Sequence, residues 1–199
     1  MCIRDRWFIE LHLIWSIQIE RYMYFDLAPL ELHIFWVIFA RVLLETPWVV
    51  FVQSRSRLSP IQSTRKRMKK ITIPRLELLS CWLGTRLLQS TIKALNFVPQ
   101  RITFWSDSMT ALSWINSGND WSVFVQNRVK DIRGSTPDTA QWRHIPGNLN
   151  PADLPSRGCY PSEFAVSKWW EGPHLLSDEN QWPSPNYNAD FDVVNSELK

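Results

Sequence analysis

Three carboxylates stand where an α/β protein tends to place reactive groups. Glu77 lies in the first turn of the longest helical stretch, and Asp107 follows the short strand Arg101–Trp105. Asp153 opens a helix after the turn Pro146–Asn150. An acid at a helix N-terminus also serves as a cap or as a partner for the helix dipole. Each of the three, taken alone, fits that bland use. Brought together, they would repel one another unless a cation sat among them. Mg²⁺ takes hard oxygen ligands, and paired ions flank the scissile phosphate in nucleases. His144 precedes the turn and could move a proton near neutral pH. It reads equally well as a half-exposed surface histidine.

The elements that must position these residues follow from periodicity. Leu30–Phe35 and Trp48–Gln53 read as strands. Thr72-Ile73-Pro74 starts a helix, because proline has no N–H to satisfy in the first turn. Leu76, Leu79, Leu83 and Leu87 then share one helical face, and the helix runs to about Leu95. Arg101–Trp105 is a strand, and Ser106-Asp107-Ser108 can cap the helix that follows. Trp121, Val125, Val129 and Ile132 mark another helix, Gln141–Ile145 a strand, and Ser162–Trp170 a last helix. Helices interleaved with strands imply an α/β sheet with helices packed on it. Residues 1–30 show no lasting period and no internal repeat is read in the chain.

The 199 residues bound one domain. With 45% hydrophobic and 21% charged residues, the composition excludes a wholly disordered chain, a collagen or a coiled coil. Three scattered cysteines and four distant histidines do not make a disulfide framework or a structural zinc site, which points to a reducing compartment. Charges interrupt both apolar N-terminal stretches, so neither reads as a membrane span or a targeting segment. The expectation is a soluble, intracellular protein, cytoplasmic or nuclear. Net charge is only +3, but it divides into +8 over residues 1–160 and −5 over 161–199. Residues 55–70 carry seven Lys/Arg and no acid. Within this presumed loop, Arg65, Lys66, Arg67, Lys69 and Lys70 are weak candidates for phosphate contact, against the alternative of a solvated linker.

Five motifs occur in order: IPRLEL (Ile73–Leu78), FWSDSMTALSWI (Phe104–Ile115), FVQNRV (Phe124–Val129), WRHIPGNLNPADLPSRG (Trp142–Gly158) and WWEGP (Trp169–Pro173). Together they resemble the ribonuclease H-like region of BEL/Pao retrotransposon polyproteins, most strongly from Ile71 to Pro173. The resemblance implies a ribonuclease H-like fold, a mixed central sheet flanked by helices. It implies an endonuclease hydrolysing the RNA of RNA–DNA hybrids with two Mg²⁺ (or Mn²⁺) ions. Glu77, Asp107 and Asp153 match family metal ligands, and His144 matches the loop histidine. The resemblance implies an RNA–DNA hybrid or another nucleic acid as partner, a chain that is part of a larger polyprotein, and no membrane. Such a duplex is recognised through backbone, shape and 2′-hydroxyls.

One departure stands out. The family's first strand reads ELH-(I/V)-F and then Asp-Ala-Ser. Here ELHIF (Glu31–Phe35) leads into Trp36-Val37-Ile38-Phe39-Ala40, with no acid before Glu45. The first two strands are therefore read as poorly preserved. Hydrolase by descent is one functional reading. A catalytically impaired nucleic-acid-binding remnant is the alternative, and a fragment without a stable fold is a third. The organisation expected is an irregular segment 1–30, a ribonuclease H-like domain 31–173, and an acidic, disordered tail 174–199.

Overall fold

The structure is a computed structural model. It describes residues 8–20, 31–43, 48–58, 71–152 except 97 and 139, 160–184 except 168, and 189–199. Residues 8–20, 31–35, 42–43 and 57–58 are described by their backbone alone. Five strands form one mixed sheet: β1 (Phe8–Glu20), β2 (Glu31–Leu43), β3 (Trp48–Leu58), β4 (Arg101–Ser106) and β5 (Gln141–His144). Their order is β3-β2-β1-β4-β5. The pairs β1–β2 and β2–β3 are antiparallel, and β1–β4 and β4–β5 are parallel. A parallel neighbour needs a crossover. Helix α1 (Ile73–Leu95) lies in the chain between β3 and β4, and α2 (Met109–Asn116) and α3 (Val123–Ser135) between β4 and β5.

This arrangement corrects the placement of the first strand. Residues 1–30, read as irregular, contain β1, the central strand of the sheet. Glu31–Phe35 opens β2 instead. The confusion has a sequence cause, a repeat that the reading missed: Glu-Leu-His occurs at residues 10–12 and again at 31–33. FIELHLIWSIQIE does alternate, with Glu10, His12, Ser16, Gln18 and Glu20 set against Ile9, Leu11, Leu13, Trp15, Ile17 and Ile19, so its period-2 signal was present in the sequence. Strand β3 also runs past Gln53 to Leu58, so the first residues of the basic stretch are strand rather than loop. Arg65, Lys66, Arg67, Lys69 and Lys70 lie outside the described residues.

Both faces of the sheet are buried, and alternate residues serve opposite cores. Trp36 and Ile38 of β2 join Ile102 and Phe104 of β4 in a cluster with all three helices. Val37, Phe39 and Trp105 point into a second cluster with Ile145, Trp169, Leu175 and Leu176. Trp36 is thus a core residue, 3% exposed, whose indole N–H donates to the Ser80 carbonyl at 3.1 Å. On α1 the buried arc includes Leu78, Cys81, Gly84 and Leu88. Leu79 and Leu83 of the expected leucine stripe lie at its half-buried margin. The arc is wide because α1 packs on both the sheet and α3.

The acidic tail expected to be disordered is docked in its described parts. Leu175 and Leu176 fill the second cluster, and Trp182 meets the Trp105 ring edge-on at 5.1 Å. Ala189 and Val194 enter the first cluster. The Trp114 indole N–H donates to the Val194 carbonyl, and Leu198 bridges to Trp121. Of the expected helix Ser162–Trp170, only Pro161–Ala165 is helical.

Candidate active site

Pro74 sits in the opening turn of α1, as the sequence requires. Because the helix begins at Ile73, Glu77 lies beyond the first turn, so a dipole or cap role does not account for it. Its carboxylate accepts a hydrogen bond from the Ser108 hydroxyl at 2.5 Å. Burial pushes the Glu77 carboxyl above its ordinary pKa, and the Ser108 bond only partly opposes this.

Asp107 directly follows β4 and is half-buried. The cap of α2 is Ser108, whose side chain accepts from the Ala111 N–H at 3.2 Å. Capping therefore does not explain Asp107 either. The Asn150 side-chain amide reaches toward the Asp107 carboxylate at 3.5 Å. The Ser106 hydroxyl accepts from the Ser108 backbone N–H, and the Ile145 N–H donates to the Ser106 carbonyl. These bonds tie the ends of β4 and β5 together beneath the two acids.

His144 pairs with Ser106 in the β4–β5 register and bonds to the Asp107 backbone. Burial holds its pKa below the ordinary histidine value, with the Asp107 contact opposing. The ring is therefore neutral at pH 7 and able to accept a proton. Asp153 lies outside the described residues; the chain leading to it, Asn150–Ala152, is buried beside the site. The structure thus brings Glu77, Asp107 and His144 together, and Ser108 and Asn150 join them. Sequence reasoning missed the last two, although both stood inside quoted motifs, next to Asp107 and at the end of the PGNLN turn.

The sheet register locates the missing acid. Trp15 pairs with Ser106 in the parallel β1–β4 ladder, so Ser16 is the next residue, level with Asp107. Residues 11–19 of β1 contain no Asp or Glu. Trp36 belongs to β2 and faces α1, so the position level with Asp107 is Ser16 on β1. Among the described residues, no three His, Cys, Asp or Glu side chains gather into a metal-binding group. Glu77 and Asp107 are hard oxygen donors linked through Ser108, and a donor set of two acids is smaller than a two-ion site needs.

A family model matches residues 17–108, that of the Pao retrotransposon-like RNaseH-like domain. Over these residues the chain is similar to that domain family. The matched part holds Glu77 and Asp107 and ends before His144 and Asp153. It begins within β1, one residue after Ser16. The fold is ribonuclease H-like, as the motifs implied. Similar solved structures include the N-terminal RNase H domain of a Mycobacterium tuberculosis protein, solved as a fusion with maltose-binding protein. The TM-score is 0.44 at 7% identity, covering 71% of this chain and 86% of that one. RNase H1 of Halobacterium salinarum gives 0.38 at 9% identity, covering 71% and 88%. The protease–reverse transcriptase of prototype foamy virus gives 0.40 at 10% identity, covering 92% of this chain and 22% of that one. Among curated proteins none matches. Among the described residues, no helix is long and apolar enough to cross a membrane.

Proposed function

We propose that this Pao-like domain binds RNA–DNA hybrids and is impaired in cleaving them. A hybrid ribonuclease is its activity by descent. The observation that carries this reading is the register of β1. The strand beside Asp107 bears no acid over residues 11–19, and Ser16 stands level with Asp107. Glu77 and Asp107, with Asp153 by resemblance, would hold Mg²⁺ or Mn²⁺. When bound, a hard divalent ion supplies charge that polarises a phosphodiester and acidifies a coordinated water. The chain's own groups do the rest. Ser108 orients Glu77, Asn150 orients Asp107, and neutral His144 stands ready to accept a proton.

The test uses the full chain and a labelled RNA–DNA hybrid, with cleavage followed in Mg²⁺ and in Mn²⁺. The expected result is salt-sensitive binding with slow, Asp107-dependent cleavage or none. No binding at low salt would overturn the nucleic-acid reading. Rapid cleavage lost in Asp107→Asn would overturn the impairment and leave an intact enzyme.

A further inference from the structure

A second collection of polar groups lies apart from the carboxylates. Between β3 and the middle of α1 is a recess of about 470 Å³, with Arg55, Ser56, Arg86 and Ser90 on its walls and the buried Trp36 and Leu87 behind them. Two arginines and no acid line it. Other arginines of the chain are engaged. Arg41 and Arg101 hold Glu179, Arg75 holds Glu197, and Arg133 donates to the Ile115 and Ser117 carbonyls. Among the described residues, neither Arg55 nor Arg86 forms a salt bridge. Both are exposed. Arg86 is nonetheless positioned, because its guanidinium lies over the Trp82 ring, 4.4 Å from the centroid.

The register ties this recess to the candidate active site. Arg55 pairs with Trp36, Trp36 with Trp15, and Trp15 with Ser106. The four residues form one row across the sheet. Three strand spacings put Arg55 about 14 Å from Ser106 at the same end of the sheet. Arg55 also begins the seven-cation run that continues to Lys70. A continuous polyanion lying along this end of the sheet would reach both places.

We infer that the recess is an anion subsite that holds a backbone phosphate of a bound nucleic acid. Arginines on two walls of one recess offer planar, multidentate donors that match phosphate oxygens. The hydroxyls of Ser56 and Ser90 add neutral donors at the rim. The subsite rests on the nucleic-acid reading proposed above, and it reads the backbone rather than the sequence.

The test measures fluorescence anisotropy of a labelled RNA–DNA hybrid against salt concentration, for the full chain and for Arg55→Ala/Arg86→Ala. The double variant should bind about tenfold more weakly at low salt, for any hybrid sequence, with a salt slope shallower by about 1. Arg55→Lys/Arg86→Lys should recover most of the loss, since a point charge still meets phosphate. Unchanged affinity and slope in an alanine variant that melts like the parent would overturn the subsite. If the parent chain itself fails to bind hybrid, the nucleic-acid reading falls. The recess is then judged with inorganic pyrophosphate, followed by the Nε–H signals of Arg55 and Arg86. Shifts at both support an anion site of another use, and no shift overturns it.

Discussion

Replacing Glu197 by glutamine should loosen the acidic tail from the helical layer. Glu197 is 7% exposed. Arg75 donates to its two carboxylate oxygens at 2.6 and 2.8 Å, and the Ser122 hydroxyl donates to the same group. Its backbone carbonyl also accepts from the Ser122 N–H. Hydrogen bonding to Arg75 holds the Glu197 carboxyl below its ordinary pKa, against the effect of burial. Glutamine keeps the size but loses the charge and one acceptor oxygen. Hydrogen bonds to charged groups are worth about 1.5–3 kcal/mol each, but the Arg75 side chain is 29% exposed and water recovers part of its solvation. The net loss should be about 2 kcal/mol, which for a chain of this size lowers Tm by about 4–8 °C. Thermal melts followed by circular dichroism and tryptophan fluorescence give the number, and Arg75→Met completes a double-mutant cycle. A depressed carboxyl contributes stability above the unfolded pKa and loses it as pH falls through the folded one. The gap between parent and variant should therefore close in acid. Melts within about 1 °C of each other at pH 7, or a gap that widens in acid, would refute the reasoning.

Two further results bear on the site. Ser16→Asp should increase divalent-dependent hybrid cleavage above the parent chain, whereas Trp36→Asp should lower stability by several kcal/mol through an unpaired buried charge and gain no activity. Recovery of cleavage by Trp36→Asp and not by Ser16→Asp would sink the register argument. Glu77→Gln should raise Tm at neutral pH without divalent ions, because a carboxyl whose folded pKa is raised loses stability as pH rises through it. Added Mg²⁺ should then raise the Tm of the parent and not of the variant, and equal shifts in both would exclude Glu77 as a ligand.

Much of the site was legible because its signals are local. Helix α1 begins where Thr72-Ile73-Pro74 demands it, and β4 ends at the Ser-Asp-Ser segment whose last serine caps α2. Tryptophans of the quoted motifs fill structural roles. Trp105, Trp114 and Trp169 are buried, and Trp142 stacks on Phe104 at 4.3 Å. The docked tail was not legible. Its residues Pro183–Asp192 look disordered by composition, and only distant partners such as Arg75, Trp105 and Trp114 hold the described parts in place.

By itself, the sequence determined helices α1, α2 and α3, strands β4 and β5, and the acids Glu77 and Asp107, since capping, proline placement and apolar period act over a few residues. Only the tertiary structure decided which of two Glu-Leu-His strands lies beside Asp107. That choice rests on pairing in the sheet, where β1 runs parallel to β4 and β2 does not touch it. Strand pairing joins residues far apart in the chain, so no local pattern encodes it. It sets Ser16, and not Trp36, level with Asp107, and it sets Arg55 in the same row as Ser106.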